Sequence, residues 1–182
     1  MHINYPNIFI FISEFKKEEI LNLNKNIGVI FRNYEKKLNK NEILEIKKFC
    51  KISKKKFYLA NNIKTAVNLD LDGVYIPSFN KNLCLKKFSL KKKFLIIGSA
   101  HNYFEIKVKE KQGAELIFLS PLFKTKNYKK ELGIIKFNLL SRLSEKKVIA
   151  LGGINKANLK KLKITNAYGF SGISYFKENN LK

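Results

Sequence analysis

Eight short apolar runs, separated by polar segments, are the feature of this 182-residue chain that most restricts its fold. Each run is rich in Ile, Val, Phe and Leu, which is typical of a strand buried on both faces of a parallel sheet. The runs cover residues 8–12, 27–31, 57–60, 73–76, 94–98, 116–119, 148–151 and 169–174. Their alternation with helical segments predicts an α/β fold, a compact single-domain (β/α)8 TIM barrel over residues 1–182.

The segments between the runs differ in how strongly they predict a helix. In residues 41–52 and 134–143 the apolar side chains recur near one helical face; they are Ile43, Leu44, Ile46 and Phe49, and Ile135, Leu139 and Leu143. Asn102 and Asn155 are expected N-caps of helices over 103–111 and 156–164. Residues 15–24 and 83–90 give the weakest helix signals, so several helices must be short. The alternative is an open doubly wound sheet, but its Gly-x-Gly-x-x-Gly dinucleotide motif is absent.

Charge and cysteine content restrict the partners and the compartment. A net charge of +23 favours binding to anions. However, Arg32 and Arg142 are the only arginines, and the lysine runs are spread along the chain before strand-like segments, so we do not expect nucleic acid as a partner. Cys50 and Cys84 form neither a disulfide framework nor a metal motif, and no apolar run reaches membrane length. We therefore expect a soluble cytoplasmic protein; the sequence does not indicate its oligomeric state.

Gly152 and Gly153 follow the seventh run and precede a predicted helix. Glycine lets the backbone approach an anion closely, and the first N–H groups of a helix lack internal partners. This arrangement can hold a phosphate, although a tight turn without a ligand has the same sequence. The eighth run also ends in small residues, and TIM barrels often bind phosphate after strands seven and eight. The two ends together favour a phosphate site.

Other strand ends carry polar groups that could take part in chemistry. Arg32 follows the second run and can bind an anion or serve as a surface charge. Asn61 and Asn62 after the third run, and Asn80 after the fourth, can bind a ligand or act as ordinary turn residues. His101, after the fifth run, could transfer protons near neutral pH, or it could be incidental to a capped turn.

The order of these motifs resembles the thiamine-phosphate synthases and their TenI-like thiazole tautomerase relatives. The matching pieces are Asp72-Gly73-Val74, Ser99-Ala100-His101, Gly113-Ala114, Ser120-Pro121-Leu122-Phe123-Lys124-Thr125, Ala150-Leu151-Gly152-Gly153-Ile154 and the run over 169–174. The resemblance implies small phosphorylated heterocyclic substrates and a transferase of thiamine biosynthesis. In that family the reaction joins a hydroxymethylpyrimidine diphosphate to a thiazole phosphate and releases pyrophosphate.

The resemblance also implies roles for individual residues. The thiazole phosphate would be held by Thr125, Asn127, Gly152, Gly153, Ile173 and Ser174. The diphosphate and pyrimidine side would be formed by Arg32, Asn61, Asn62, Asn80, Lys124 and Lys126, and the catalytic residues would be His101, Arg32 and Ser99.

The chain departs from the family pattern at the metal site. Asn62 and Asn80 stand at the positions aligned with two metal-binding aspartates, and Ile30, Tyr34 and Tyr128 replace other polar residues of the family. Neutral amides bind Mg²⁺ less well than carboxylates, so no protein metal ligand is assigned and Mg²⁺ is expected, if at all, through the substrate diphosphate. A thiazole phosphate tautomerase using His101 and a noncatalytic thiazole-phosphate-binding barrel remain alternatives.

Overall fold

Eight parallel strands close into a barrel in the order of the sequence, as the computed structural model shows. The structure describes residues 5–21, 26–35, 38–125 and 130–172. The strands are Ile8–Ile12 (β1), Ile27–Phe31 (β2), Lys56–Ala60 (β3), Gly73–Ile76 (β4), Leu95–Ala100 (β5), Leu116–Leu119 (β6), Lys147–Leu151 (β7) and Gly169–Ser171 (β8). β1 pairs with both β2 and β8, which closes the barrel. The predicted (β/α)8 TIM barrel is confirmed.

The connections between the strands are short. The α-helices are Lys17–Leu21 (α1), Lys40–Ile52 (α2), Ile63–Asn68 (α3), Tyr103–Lys111 (α4) and Gly133–Arg142 (α5). After β4 and β7 the structure instead has the 3₁₀ helices Leu83–Lys87 and Leu159–Ile164. The expected N-cap of α4 is confirmed, because the Asn102 side chain accepts the Glu105 N–H. None of the described helices is long and apolar enough to cross a membrane.

Two apolar layers hold the barrel together. Inside it, Phe9, Phe11, Tyr58, Tyr75 and Phe118 pack as a cluster of tilted and edge-to-face rings. The second layer lies between the strands and the surrounding helices. Residues with the same parity on one strand share a face, so Ser99, in step with Leu95 and Ile97, points into the barrel.

The predicted apolar face of α5 is wrong. Ile135, Leu139 and Leu143 are exposed, whereas Phe137 and Leu140 are buried. Polar contacts set the rotation of the helix: the Asn138 side chain bonds Ile164 O and Asn166 N–H, and Ser141 Oγ donates to Asn166 O. Leu44 of α2 is likewise exposed, while Ile43, Ile46 and Cys50 form the buried face of that helix.

Candidate active site

The carboxyl ends of the eight strands open at one end of the barrel, the mouth. The closed strand order places the ends of β2, β3 and β4 opposite those of β6, β7 and β8, with β5 between them. We call the first group the amide side, after Asn61 and Asn80, and the second the glycine side, after Gly152 and Gly153. His101 directly follows β5, so it lies between the two sides.

On the glycine side, the loops after β6 and β7 are joined through their backbones. The Phe123 N–H donates to Gly152 O at 3.1 Å. Gly152 and Gly153 have φ angles of 94° and 70°, in the left-handed region that disfavours other residues. A Cβ atom on Gly153 would lie 2.5 Å from Lys124 O and 2.6 Å from Phe123 O. Both the backbone conformation and the close approach therefore require glycine.

The predicted helix directly after this turn is wrong. Residues 156–158 form a turn, and a 3₁₀ helix begins only at Leu159. Asn155 and Asn158 instead accept each other's backbone N–H at 3.1 and 2.9 Å, and Asn158 Nδ2 donates to Gly153 O at 2.7 Å. These bonds compete with helical pairing, which explains the late start. An anion here would be bound by loop N–H groups without a helix dipole.

The backbone N–H groups of Gly152 and Gly153 are the donors that a phosphate on this side would need. Within the described ranges, no backbone hydrogen bond outside helices and strands uses the N–H of Gly152 or Gly153, and no side chain accepts from either. Thr125 is partly buried and Lys124 exposed at the end of the neighbouring loop. The other predicted residues of this side, Asn127, Ile173 and Ser174, and with them Lys126 and Tyr128, lie outside the described residues.

Ser171, at the end of β8, is a polar group that the sequence did not single out. Its side chain is fully buried, and its register partners are Phe9 and Leu151. In the described part of the chain its hydroxyl has no hydrogen-bond partner. Buried polar groups are normally paired, so this hydroxyl carries an energetic cost.

On the amide side, Asn80 crosses from the loop after β4 to the end of β3. Its Nδ2 donates to Asn61 Oδ1 at 2.7 Å, and its Oδ1 accepts the Asn82 N–H at 3.0 Å. Asn61 has a φ angle of 57°, a left-handed conformation that asparagine tolerates. Asn62 Oδ1 accepts the Thr65 N–H at 2.9 Å and caps α3.

These amide contacts do not fit a protein-bound Mg²⁺ ion. The side-chain oxygens of Asn61, Asn62 and Asn80 each already accept a hydrogen bond. Among the residues that the structure describes, no group of three or more His, Cys, Asp or Glu side chains could hold a metal. Mg²⁺ prefers several oxygen ligands that include carboxylates, and this side offers neutral, occupied ones.

Arg32 and two aromatic side chains border the amide side. The backbone N–H of Arg32 donates to Ile12 O. The guanidinium carbon of Arg32 lies 4.6 Å from the centroid of the Phe11 ring. Tyr34 and Phe79 pack edge to face with ring centroids 5.7 Å apart, and both are largely exposed. Partial burial raises the pKa of Tyr34 to about 12, so its hydroxyl is neutral at physiological pH. This edge presents a cation beside two aromatic rings.

His101 is oriented by Glu105, four residues further along. His101 Nδ1 lies 2.9 Å from Glu105 Oε2, and the same oxygen accepts the His101 backbone N–H at 2.8 Å. Glu105 Oε1 accepts from Asn102 Nδ2, while Asn102 Oδ1 caps α4. A carboxylate at Nδ1 favours the tautomer with its proton there, so in any proton transfer by this histidine Nε2 would be the atom that acts.

Four residues of the mouth were not predicted from the sequence: Phe79, Glu105, Asn158 and Ser171. Glu105 could have been found, because Asn102 and a Glu three residues later form a capping-box pattern. Phe79 and Asn158 carry no local signal, since their roles depend on which loop packs beside them.

Comparison with known proteins agrees with this architecture. Residues 19–176 match the family model described as thiamine monophosphate synthase. A protein of Aquifex aeolicus (strain VF5), provisionally named thiamine-phosphate synthase 2, is 33% identical over 153 residues, which cover 79% of this chain and 80% of the relative. A Prochlorococcus marinus (strain MED4) thiamine-phosphate synthase is 32% identical over 124 residues, 67% of this chain but 35% of the relative. This chain therefore spans about a third of the Prochlorococcus protein.

Among solved structures, a thiamine phosphate pyrophosphorylase from Pyrococcus furiosus superimposes with a TM-score of 0.72. The match covers 93% of this chain and 86% of that chain at 19% sequence identity. At this identity the likeness shows the shared barrel fold.

Proposed function

The chain belongs to the thiamine monophosphate synthase family, and we propose that it joins a hydroxymethylpyrimidine diphosphate to a thiazole phosphate with release of pyrophosphate. This family membership makes the protein a transferase of thiamine biosynthesis. The observation that carries the proposed reaction is the backbone-built glycine side, which faces a cationic and aromatic amide side across one mouth.

The thiazole phosphate would bind on the glycine side. The N–H groups of Gly152 and Gly153 would donate to phosphate oxygens, and Thr125 would add a hydroxyl donor. The family resemblance adds Asn127, Ile173 and Ser174 to this site as further proposed ligands.

The pyrimidine diphosphate would bind on the amide side. Arg32 suits the diphosphate because a guanidinium can donate two parallel hydrogen bonds. Tyr34 and Phe79 offer ring surfaces for the pyrimidine. Cleavage of the bond to the diphosphate leaves negative charge on pyrophosphate, which Arg32, Lys124 and Lys126 would stabilise. Ser99, inside the barrel at the end of β5, would contact the reacting groups.

Mg²⁺ would enter only as a counterion of the diphosphate substrate. The protein groups at the aligned positions are committed to other hydrogen bonds, as described for Asn62 and Asn80. A divalent ion neutralises phosphate charge, and in many sites it is held largely by substrate phosphates. The proposed protein contribution to the reaction is therefore positioning and fixed positive charge.

An assay with both substrates tests the synthase proposal. Purified protein is incubated with the two phosphorylated substrates across a range of Mg²⁺ concentrations, and thiamine phosphate and pyrophosphate are quantified. We expect both products in equal amounts, with Arg32→Met greatly reduced in activity. Absence of thiamine phosphate at every Mg²⁺ concentration would contradict the proposal.

The His101 and Glu105 pair supports a second candidate function, isomerisation of a thiazole phosphate. That reaction needs a bound phosphate and a group that moves a proton, and no diphosphate. General acid–base catalysis typically contributes about 10² to 10⁴ in rate. We expect His101→Ala to lose an activity of this kind by a factor in that range. Glu105→Gln, which keeps the capping geometry, is expected to lose less. If the wild-type protein shows no isomerisation, this second candidate is excluded.

A further inference from the structure

We propose that Lys109 is a positioning residue for the amide side of the mouth, fixing the loop after β4 from behind the barrel wall so that Asn80 stays bonded to Asn61. The inference rests on the proposed function for its substrate readout. It concerns a lysine that the proposed mechanism does not use.

Lys109 lies on the buried face of α4 with no exposed surface. Its stem crosses β5 at Gly98, where a Cβ atom would lie 2.7 Å from both Cβ and Cγ of Lys109. The absence of a side chain at Gly98 thus makes room for the lysine. The two residues form one packed unit between strand and helix.

The ammonium group of Lys109 is fully hydrogen-bonded to neutral oxygens. Its Nζ donates to Pro77 O at 2.7 Å, Asn80 O at 2.6 Å and Gln112 Oε1 at 3.0 Å. Among the described residues, no carboxylate lies within ion-pair distance of it. Burial lowers the pKa of Lys109 to about 8, against an opposing effect of Glu105.

Gln112 completes the attachment of this loop to α4. Its Nε2 donates to Asn80 O at 3.0 Å and to Asn82 O at 2.9 Å. Two side chains of one helical turn therefore hold three carbonyl groups of the loop, those of Pro77, Asn80 and Asn82. Phe79, in the middle of this loop, is exposed and so does not anchor the loop in the core.

Asn80 links Lys109 to the mouth of the barrel. The same residue whose carbonyl is held by Lys109 donates its side-chain amide to Asn61 at 2.7 Å. Burying an ammonium is costly, and an apolar side chain of similar length would fill the space without that cost. The lysine instead supplies directional bonds, which define the position of the loop and with it the positions of Phe79 and Asn80.

The test compares Lys109→Met with Lys111→Met, a control that removes the same charge from an exposed position of the same helix. The first readout needs no substrate. Hydrogen exchange of the Asn80 and Asn82 amides, which bond Pro77 O and Asn80 Oδ1, is expected to accelerate at least about tenfold in Lys109→Met alone. Unchanged exchange at these amides would overturn the proposal, whether or not the protein is a synthase.

The second readout is the dissociation constant of each substrate, measured separately by calorimetry. We expect Lys109→Met to weaken binding of the pyrimidine diphosphate about tenfold and to leave the thiazole phosphate within about twofold. Equal weakening of both would indicate general structural damage and overturn the proposal. If the wild-type protein binds no pyrimidine diphosphate, the proposed function fails, while accelerated exchange still supports the positioning role.

Gln112→Leu keeps the inference testable if Lys109→Met fails to fold. It removes the donors to Asn80 O and Asn82 O but retains the ammonium. We expect smaller changes in the same direction, both in amide exchange and in the affinity for the pyrimidine diphosphate. Exchange of the Asn82 amide should be affected most. A folded Gln112→Leu with wild-type exchange at Asn82 would count against the proposal.

Discussion

The glycine side and the amide side of the mouth are built by different means. On the glycine side, two glycines with positive φ angles bring backbone against backbone, and side chains contribute little. On the amide side, the shape depends on side-chain contacts between Asn61 and Asn80 and on support from α4. A site made of backbone tolerates few residue types, whereas a site made of side chains depends on distant partners.

The sharpest test of this contrast is Gly153→Ala with Gly133→Ala as its control. Both glycines have positive φ angles, 70° and 66°, but a Cβ atom at Gly133 meets nothing within 4 Å. An alanine in this conformation costs roughly 1–2 kcal/mol. At Gly153 the clash with Phe123 O and Lys124 O adds to this cost.

We expect Gly153→Ala to lower the free energy of unfolding by about 3 kcal/mol and to weaken thiazole phosphate binding at least about 100-fold. Gly133→Ala should lower the free energy of unfolding only by the conformational cost of alanine, and it should bind thiazole phosphate as tightly as the wild type. Chemical denaturation and calorimetry measure the two effects. If both variants bind thiazole phosphate equally well, the glycine side is not a phosphate site.

On the amide side, Asn62→Ala is expected to act on stability rather than on binding. Loss of the N-cap of α3 should lower the free energy of unfolding by about 1 kcal/mol. Asn62→Asp, which keeps an acceptor for the Thr65 N–H, should retain wild-type stability. If Asn62→Ala keeps normal stability but loses much of its affinity for the pyrimidine diphosphate, then Asn62 binds this ligand directly. The role of the amide side chains would then be ligand binding and not only the shape of the site.

Ser171→Ala is the smallest expected effect and concerns a buried hydroxyl near the glycine side, for which the described residues offer no hydrogen-bond partner. Removing a buried polar group that lacks a partner should raise the free energy of unfolding by about 1 kcal/mol. Thermal unfolding of the free protein measures this gain. Should the variant instead lose stability only when thiazole phosphate is present, the hydroxyl is paired with the ligand.

The barrel was predictable because its signal is repeated and local. Eight buried strands need continuous apolar runs, and parallel pairing needs crossovers, so the alternation leaves few other folds. The glycine turn was predictable for a similar reason, because positive φ angles restrict residue type. The prediction of a helix directly after the turn was wrong, because Asn155 and Asn158 bond each other's backbone in a turn there.

The amide side was less predictable because its residues are defined by partners far away in sequence. The sequence gives no sign of the different roles of Asn61, Asn62 and Asn80. Asn61 has a left-handed backbone conformation, Asn62 caps α3, and Asn80 bridges the loops after β3 and β4. Lys109 resembles Lys107 and Lys111, although its spacing of three from the buried Ile106 indicates the inner face of α4. The buried face of α5 was predicted wrongly for the same reason, because its polar partners Ile164 and Asn166 are far away in sequence.

Helix α4 supports both His101 and the amide side of the mouth. Glu105 and Lys109 lie one turn apart on it, the first bonded to His101 and the second to the loop that carries Asn80. A local opening of this one helix would release His101 and the loop after β4 together. In the proposed function, the site of the pyrimidine diphosphate and the proton-transfer residue would therefore share this one helix as their support.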